Sequence, residues 1–312
     1  MRLTVLAAII SVLHCFNLDT KSPYIIKSDA AEGYFGYSVA LHRNSEGNFL
    51  LIGAPTSSTP QPGVDQGGTI FKCKVPTDLG DPIAPVVCSE QLAVLDDQGN
   101  TWVGSDDVHG HFEFSYNKTD IYNIQSDQKS HQWLGVTLQS SIDSDYLIGC
   151  AHKYETRYLG ISSFFDDPPR QLTGKCILLG KDLDFQESVY QPCKGVESGL
   201  SKVGNCQAGT SAHWLDDKLV LGAPGCYEGS GGLYIYDTAD LVIDPDTTDP
   251  YKDPEYEDSQ PYIGYSTTIC DMNGDGIMDV ISGGPRGKLY RGQVVIYQSE
   301  QGISQVLTEQ MP

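Results

Sequence analysis

Oxygen-bearing side chains occur at every second position of one short segment in the C-terminal part of the sequence. Asp271, Asn273 and Asp275 stand at positions 1, 3 and 5 of a nine-residue run that ends with Asp279. With the backbone carbonyl of Ile277 at position 7 and a glycine at position 6 for the tight bend, this spacing can wrap one hard cation. The alternative is an acidic turn that holds no metal. We predict that the run is a loop that binds Ca²⁺.

The residues around this run indicate that it joins two strands and not two helices. A helical calcium-binding hand requires a bidentate Glu at position 12, and Ser282 stands there instead. The flanking segments 262–270 and 280–284 contain the Tyr, Thr, Ile and Val residues that favour strands. Because five protein oxygens leave little open coordination, we expect the ion to have a structural role and the chain to have no catalytic activity.

A repeated pattern of strands and turns must position this loop. One copy contains Phe35-Gly36, then Gly53-Ala54-Pro55, then a Gly-Gly pair before an apolar run, and this order recurs with variations in residues 133–177, 208–236 and 262–296. Each copy holds three apolar strands with room for a fourth, which is typical of a four-stranded antiparallel blade. We predict an all-β fold, a β-propeller, with blades at roughly 30–91, 105–180, 190–240 and 258–300. The pattern alone leaves a β-sandwich open as the alternative.

Composition and charge exclude several classes of partner and compartment. The 41 acidic and 20 basic residues give a net charge of −21, which would repel nucleic-acid phosphates. An apolar run in residues 1–15 has the length of a signal peptide, and no later run reaches the roughly 20 apolar residues of a membrane-spanning helix. We therefore expect an exported chain with disulfides among its nine cysteines and a glycosylation site at Asn117.

The Phe-Gly and Gly-Ala-Pro repeats, together with the Asp-x-Asn-x-Asp-Gly-x-x-Asp loop, resemble the N-terminal head of integrin α subunits. Segments 16–20, 131–136, 149–152 and 204–210 add to the resemblance, which covers everything after the signal peptide. It implies a propeller of seven blades, of which residues 16–312 hold four, so that the chain is truncated after blade 4. The short segment between Cys176 and Cys206 leaves no room for the inserted ligand-binding domain that some family members carry.

The resemblance implies a role in cell adhesion as one half of a heterodimer. The chain would pair with an integrin β subunit and bind an extracellular-matrix ligand at the cell surface, anchored by a single membrane span in the missing C-terminal part; this fragment alone would be secreted. Aromatic side chains on one face of the ring would receive a basic residue of the β subunit in a cation–π contact, and Tyr37, Trp133 and Tyr265 stand at candidate positions. Segment 199–205 contains no acidic residue, which argues against an RGD-type ligand. Segments 133–136 and 174–176 resemble those of laminin-type subunits, which favours a laminin-type ligand.

The resemblance also implies a disulfide pairing. The three implied disulfides are Cys73–Cys88, Cys150–Cys176 and Cys193–Cys206. Three cysteines remain, of which Cys15 falls in the predicted signal peptide. Cys226 follows a Gly-Ala-Pro segment and Cys270 directly precedes the acidic loop, so we place these two at opposite ends of blade strands. Such strands span about 17–20 Å, whereas bridged cysteines keep their Cα atoms within about 7 Å. We expect both to be free thiols, or Cys226 to pair with another chain.

Two other interpretations remain open. A secreted phospholipase D of the type that acts on GPI anchors carries similar repeats, but it would need a zinc-rich catalytic domain before the propeller, and here the repeats begin almost at the mature N-terminus. The sequence also contains no Gly-x-Ser-x-Gly nucleophile elbow. A purely structural propeller of the extracellular matrix is the other alternative. Co-purification with an integrin β subunit would separate a receptor from both.

Overall fold

The structure is a computed structural model that describes residues 25–28, 33–59, 64–75, 86–92, 124–141, 145–159, 170–183, 186–193, 202–215, 218–237, 246–247, 260–298 and 302–308. The predicted signal peptide at residues 1–15 and the predicted glycosylation site at Asn117 lie outside the described residues. Within these ranges, no helix is both long enough and apolar enough to cross a membrane.

Blade 1 is built around a strand that is apolar on both faces. The first five strands are β1 (Ile26–Ser28), β2 (Ser38–Asn44), β3 (Gly47–Ala54), β4 (Thr69–Lys74) and β5 (Val86–Cys88). Strands β2, β3 and β4 form an antiparallel sheet, while β5 pairs in parallel with β1. The central strand buries Phe49, Leu51 and Ile52. Among the described residues this sheet has three strands, and a single bridge from Gln91 to Phe71 stands on the outer side of β4.

Blade 2 has four strands and carries a second, smaller sheet. The next seven strands are β6 (Ile124–Gln128), β7 (Thr137–Ser140), β8 (Tyr146–Ala151), β9 (Glu155–Leu159), β10 (Arg170–Leu172), β11 (Lys175–Gly180) and β12 (Gln186–Tyr190). The blade itself has the order β7-β8-β11-β12, and β6, β9 and β10 form a separate antiparallel sheet. The second sheet was not predicted, because its strands are polar and lack the repeat glycines.

Blades 3 and 4 are simple antiparallel sheets in which each strand pairs with the next. Blade 3 consists of β13 (Ser211–Leu215), β14 (Lys218–Ala223), β15 (Gly232–Asp237) and β16 (Asp246–Thr247). Blade 4 consists of β17 (Ser266–Cys270), β18 (Asp279–Gly284), β19 (Gln293–Gln298) and β20 (Gly302–Thr308). A four-residue turn follows the second strand of each of these two blades, α1 (Cys226–Gly229) and α2 (Gly287–Tyr290), and its inner residues have positive φ angles.

The outermost strands extend beyond the blade ends expected from the sequence. Strands β12, β16 and β20 end at residues 190, 247 and 308, past the expected limits of 180, 240 and 300. Outer strands have little of the two-sided apolar pattern that marks the central ones, so the repeat pattern does not detect them.

Side chains of each central strand alternate between two neighbouring blades. In β8, Leu147 belongs to the core between blades 1 and 2, and the adjacent Ile148 belongs to the core between blades 2 and 3. In β14, Leu219 and Leu221 face blade 2, whereas Val220 packs with the residues of blade 4. Because successive side chains of a strand point to opposite faces, a sheet enclosed by two others must be apolar throughout. This explains the continuous apolar runs of the repeat.

The blades are joined by contacts that recur from one junction to the next. The first strands β2, β7, β13 and β17 are neighbours in that order. Ser38, Thr137 and Ser211, at equivalent positions, each donate a side-chain hydrogen bond to a backbone carbonyl of the following blade, at 2.7, 3.1 and 2.8 Å. The glycine of Gly-Ala-Pro lies at the same junction, because a Cβ atom on Gly53 would stand 1.9 Å from the next blade's Gly135 carbonyl oxygen. The predicted all-β propeller architecture is thereby confirmed.

Candidate metal loop and aromatic surface

The acidic loop closes one end of a hairpin in blade 4. Strands β17 and β18 are antiparallel, and their last pair joins Cys270 to Asp279, so residues 271–278 form the connection. Gly274 and Gly276 have φ of +78° and +85°, a left-handed conformation that favours glycine. The alternation of polar side chains and glycines therefore folds as a tight loop between two strands, as the sequence indicates.

Asp271 organises the backbone of this loop. One of its carboxylate oxygens accepts hydrogen bonds from the backbone N–H groups of Gly274 (2.6 Å) and Asp275 (3.2 Å), and the other accepts one from Gly276 (2.9 Å). These hydrogen bonds, the one from Gly276 first, lower the pKa of Asp271 because they stabilise its charged form. Asp271 is therefore a carboxylate throughout the neutral range.

The remaining predicted ligands lie in the same loop with different exposure. Asp275 accepts a hydrogen bond from the Ile277 backbone N–H at 2.7 Å and another from the Asn273 side-chain amide at 2.7 Å. Asp279 is buried, with 1% of its surface exposed, and accepts a hydrogen bond from the Met272 backbone N–H at 3.1 Å. Burying a carboxylate is costly unless its charge is balanced.

The donor set of the loop suits a hard divalent cation. None of the ion pairs found in the described part of the chain includes Asp271, Asp275 or Asp279. Three carboxylates, one amide oxygen and a backbone carbonyl are the oxygen ligands that Ca²⁺ prefers. In the described structure, the carboxylate oxygens of Asp271, Asp275 and Asp279 do not all lie within 4.8 Å of one another. The loop therefore offers oxygen ligands that are not gathered around a single point.

At the end of the blades opposite the acidic loop, the same left-handed turn precedes the first strand of each of the four blades. The residue two positions before the repeat glycine has a positive φ in each blade, +53° at Tyr34, +66° at Trp133, +56° at Gln207 and +60° at Tyr262. Its carbonyl accepts a hydrogen bond from the residue that follows the glycine, at 3.0 to 3.2 Å. Non-glycine residues rarely adopt this conformation, so its recurrence marks a position that the surrounding structure enforces.

Trp133 is the centre of an aromatic group between blades 1 and 2. Its ring centroid lies 6.3 Å from that of Tyr34 and 5.9 Å from that of Tyr37, and these two tyrosines are 66% and 53% exposed. The Lys153 ammonium stands 3.5 Å from the centroid of the Trp133 ring, a cation–π contact. His152 lies edge-on to the same ring at 5.6 Å. We refer to Tyr34, Tyr37 and Trp133 as the aromatic group.

One histidine and one lysine beside the aromatic group have shifted pKa values. Burial, together with the positive charge of Lys153, lowers the pKa of His152 to about 4. Burial also lowers the pKa of Lys153. His152 is therefore neutral at physiological pH, and its buried Nδ1 atom has no hydrogen-bond partner in the described structure.

Tyr265 belongs to a second exposed surface, on blade 4. It is 56% exposed, and in the same blade Arg286 stacks over the rings of Tyr262 at 4.4 Å and Tyr290 at 5.0 Å. No ring contact among the described residues joins Tyr265 to Trp133. The structure thus brings two of the three predicted partner-binding residues together, Tyr37 and Trp133, and places the third in a separate group.

Sequence reasoning did not select Tyr34 and Tyr262. Both occupy the repeat position of Trp133, two residues before the glycine, whereas Tyr37 and Tyr265 directly follow it. Alignment of the four turns on their repeat glycines would have distinguished the position two residues before the glycine from the position directly after it. Tyr290 in α2 carries no repeat signal of this kind.

A polar cleft of about 330 Å³ lies between the turns of blades 3 and 4. Its lining includes Asn205, Gln207, Glu228, Gln260 and Tyr262. Glu228 is exposed and is the only carboxylate among the described residues that line this cleft. The cleft therefore offers amide groups and one negative charge, on the same side of the molecule as the left-handed turns.

The cysteines are arranged as the resemblance implies. Disulfides join Cys73 to Cys88, Cys150 to Cys176 and Cys193 to Cys206, with Cα separations of 5.5, 4.0 and 6.5 Å. Cys226 and Cys270 are not in disulfides. Cys226 begins α1 at the turn end of blade 3, and Cys270 ends β17 beside the acidic loop, so the two lie at opposite ends of their blades.

Comparison with known proteins gives matches along nearly the whole chain. No protein-family profile matches it. The chain is 27% identical to integrin alpha-PS2 of Drosophila melanogaster over 91% of its own length, 29% identical to integrin alpha-V of Gallus gallus over 95%, and 29% identical to integrin alpha pat-2 of Caenorhabditis briggsae over 99%. It spans 20%, 26% and 23% of the length of these relatives. The predicted resemblance is thus confirmed: the chain is similar, over nearly all of its length, to integrin α subunits.

Proposed function

We propose that this chain forms part of the propeller of a cell-adhesion receptor α subunit, which pairs with an integrin β subunit at the cell surface. The observation that carries the proposal is the exposed aromatic group at the turn end of blades 1 and 2, in a chain similar to integrin α subunits over 91–99% of its length. Exposed aromatic clusters are uncommon on isolated soluble domains and are typical of protein interfaces.

The aromatic group is suited to a basic side chain from the partner. The Trp133 ring already holds one cation, because Lys153 stands over it, while Tyr34 and Tyr37 keep more than half of their surfaces exposed. Such rings attract an ammonium or guanidinium group by about 0.5–2 kcal/mol. Tyr265 would take part in a second contact on blade 4.

We further propose that the acidic loop binds Ca²⁺ through Asp271, Asn273, Asp275, Asp279 and the carbonyl of Ile277. The ion would balance the three carboxylates, including that of the buried Asp279, and would hold the β17–β18 hairpin closed. Its role in this proposal is structural, and the chain is not an enzyme.

For the ligand, we propose a matrix protein of laminin type and not of RGD type. The described residues directly before Cys206 include Lys202 and no carboxylate that could pair with a ligand arginine. Glu228 provides a negative charge elsewhere, in the polar cleft between blades 3 and 4.

Co-expression of the chain with the ectodomain of an integrin β subunit tests the receptor proposal. We expect the two to co-purify, and we expect a Tyr37→Ala variant to lower the yield of complex several-fold. The matched control is Val87→Ala, which truncates an exposed apolar side chain of β5 that does not belong to the turns. Failure of the wild-type chain to associate with any β subunit would contradict the proposal and would favour a structural matrix propeller.

A further inference from the structure

Three buried sulfur atoms meet at the junction of blades 2 and 3. Cys193 follows β12, Cys206 leads into blade 3, and Cys226 begins α1. The three side chains are at most 1% exposed, and their sulfur atoms all lie within 4.8 Å of one another. Cys193 and Cys206 form a disulfide, and the Cys226 sulfur lies 2.6 Å from that of Cys206. A disulfide bond is about 2.0 Å long, so Cys206 is within reach of both neighbours.

Backbone contacts hold the third cysteine in this position. The Gly225 N–H donates a hydrogen bond of 3.0 Å to the Cys206 carbonyl, and the Tyr227 N–H donates one to the Lys202 carbonyl. A Cβ atom on Gly225 would collide with the Asn205 carbonyl, so only glycine permits this approach. The closeness of Cys226 to Cys206 therefore follows from how two loops of blade 3 pack.

One hydroxyl group contacts all three sulfur atoms. The Tyr234 hydroxyl lies 3.4 Å from the sulfur of Cys193, 3.5 Å from that of Cys206 and 3.6 Å from that of Cys226. An O–H group in this position can donate a hydrogen bond to whichever sulfur carries negative charge. The cluster thus contains a thiol, a disulfide and a proton donor, which are the components of a thiol–disulfide exchange.

We propose that Cys226 exchanges with the Cys193–Cys206 disulfide, so that the chain has two disulfide isomers. The Cys226 thiolate attacks the Cys206 sulfur, the Cys206–Cys226 bond forms as the Cys193–Cys206 bond breaks, and the electron pair leaves with Cys193. Cys193 then takes up one proton, which replaces the one that Cys226 lost. One disulfide and one thiol are present before and after, so the step needs no oxidant or reductant.

The closed core keeps this exchange slow. Burial raises the pKa of the Cys226 thiol to about 12, so that it is protonated at neutral pH, and the thiolate is the attacking species. Movements that admit water to the junction of blades 2 and 3 would increase the thiolate fraction and hence the rate.

The two isomers would tie the same loop to different blades. In the first isomer, residue 206 is bonded to the end of blade 2; in the second, it is bonded to α1 of blade 3 and Cys193 is released. Asn205 and Gln207 flank Cys206, Gly225 precedes Cys226, and all three line the polar cleft. The isomer present would therefore alter the walls of the cleft. This inference does not depend on the adhesion proposal.

Peptide mapping of the purified full chain tests the exchange. The protein is incubated in mild denaturant, quenched in acid at successive times, alkylated with N-ethylmaleimide after full denaturation, and digested without reduction. We expect the label to move from Cys226 to Cys193 with time, together with a Cys206–Cys226 linked peptide. A Cys226→Ser variant treated in parallel reports any scrambling during alkylation, and it should leave Cys193 unlabelled. Label that stays on Cys226 at every time point would overturn the proposal.

A second variant tests the geometry independently. Cys193→Ser leaves Cys206 and Cys226 as the two cysteines of the cluster, and in a glutathione redox buffer they should form a disulfide with each other. The control is Cys270→Ser, which should keep the wild-type mapping pattern because Cys270 is in another blade. If Cys206 and Cys226 both remain alkylatable in a folded Cys193→Ser protein, the two sulfurs cannot bond and the exchange is excluded. If that variant does not fold, the time course of the wild-type chain decides.

Discussion

Asp271 and His152 illustrate how a single side chain responds to its surroundings in opposite directions. Asp271 accepts three backbone hydrogen bonds, which favour its charged form, whereas burial beside Lys153 disfavours the charged form of His152. We therefore expect Asp271 to be available as a carboxylate ligand for a cation, and we expect His152 to lower the stability of the fold in acid.

Substitution of Asp275 tests the metal loop. Asp275→Ala removes one of three carboxylates, so we expect it to weaken calcium binding by about tenfold or more, because ligand charge sets the affinity of such loops. Isothermal titration with Ca²⁺ measures the effect. Asp145→Ala is the matched control, since it removes an exposed carboxylate that pairs with Lys181 outside the loop. Equal calcium binding by the wild type and Asp275→Ala would exclude the predicted ligand set.

His152 should make the stability of the chain fall in mild acid. Its pKa is about 4 in the folded state and about 6.5 when unfolded, so the unfolded chain binds more protons between these values. Stability contributed by neutral His152 is therefore complete above pH about 6.5 and is lost as the pH falls toward about 4, by at most about 3 kcal/mol.

Denaturant unfolding of wild type and His152→Gln at several pH values measures this contribution. The variant should lose less stability on acidification than the wild type. His131→Gln, which replaces an exposed histidine, is the control for the substitution itself. Parallel curves for wild type and His152→Gln would show that His152 does not titrate in this range.

At the scale of the strands, the packing of neighbouring blades explains why the Gly-Ala-Pro segment begins with glycine. The glycine ends the second strand of the blade where the next blade's backbone approaches most closely: a Cβ on Gly53 would lie 1.9 Å from the Gly135 carbonyl oxygen, and one on Gly222 would lie 2.0 Å from that of Gly264. In blade 4, a Cβ on Gly283 would meet nothing closer than 3.7 Å.

This difference allows a matched pair of substitutions. Gly53→Ala should destabilise the chain by roughly 1–3 kcal/mol, because the added methyl group forces blades 1 and 2 apart. Gly283→Ala, at the equivalent repeat position, should change the free energy of unfolding much less. Chemical denaturation of both variants provides the comparison. An equal loss of stability in the two would mean that the glycine is required by its own strand and not by the next blade.

The sequence predicts the central strands well and the outer ones poorly. The runs around Leu51, Leu147 and Leu221 are recognisable because two-sided burial requires uninterrupted apolar residues. The short β16 and the polar β6-β9-β10 sheet have no such requirement and leave no pattern. The approach of Cys226 to Cys206 could not be predicted either, since it depends on a backbone hydrogen bond between two loops and not on spacing along the chain.

At the scale of the whole molecule, the acidic loop and the left-handed turns lie at opposite ends of the blade strands, so metal and partner would act at different faces. The loop follows the end of β17 and the Tyr262–Tyr265 turn precedes its start, so about 16 Å of strand separates them. Calcium at the loop would stabilise the propeller without touching the partner.

We therefore expect adhesion to require the complex and not this chain alone. Cells or beads coated with the purified chain should not bind laminin above background, whereas those coated with the chain in complex with a β subunit should bind it in a manner that depends on divalent cations. A surface coated with the β subunit alone is the control. Divalent-dependent adhesion by the chain alone would refute this division of roles.

The hydrogen bonds of Ser38, Thr137 and Ser211 all run in one direction, from each blade to the next. The array therefore has a polarity: Ser266 stands at the equivalent donor position of blade 4, while Val39 and Leu41 are 59% and 72% exposed on the outer face of blade 1. In an array of this kind, coupling passes only between nearest neighbours. A substitution that destabilises one blade would then weaken the blades on either side of it most, and its effect would decrease with distance along the array.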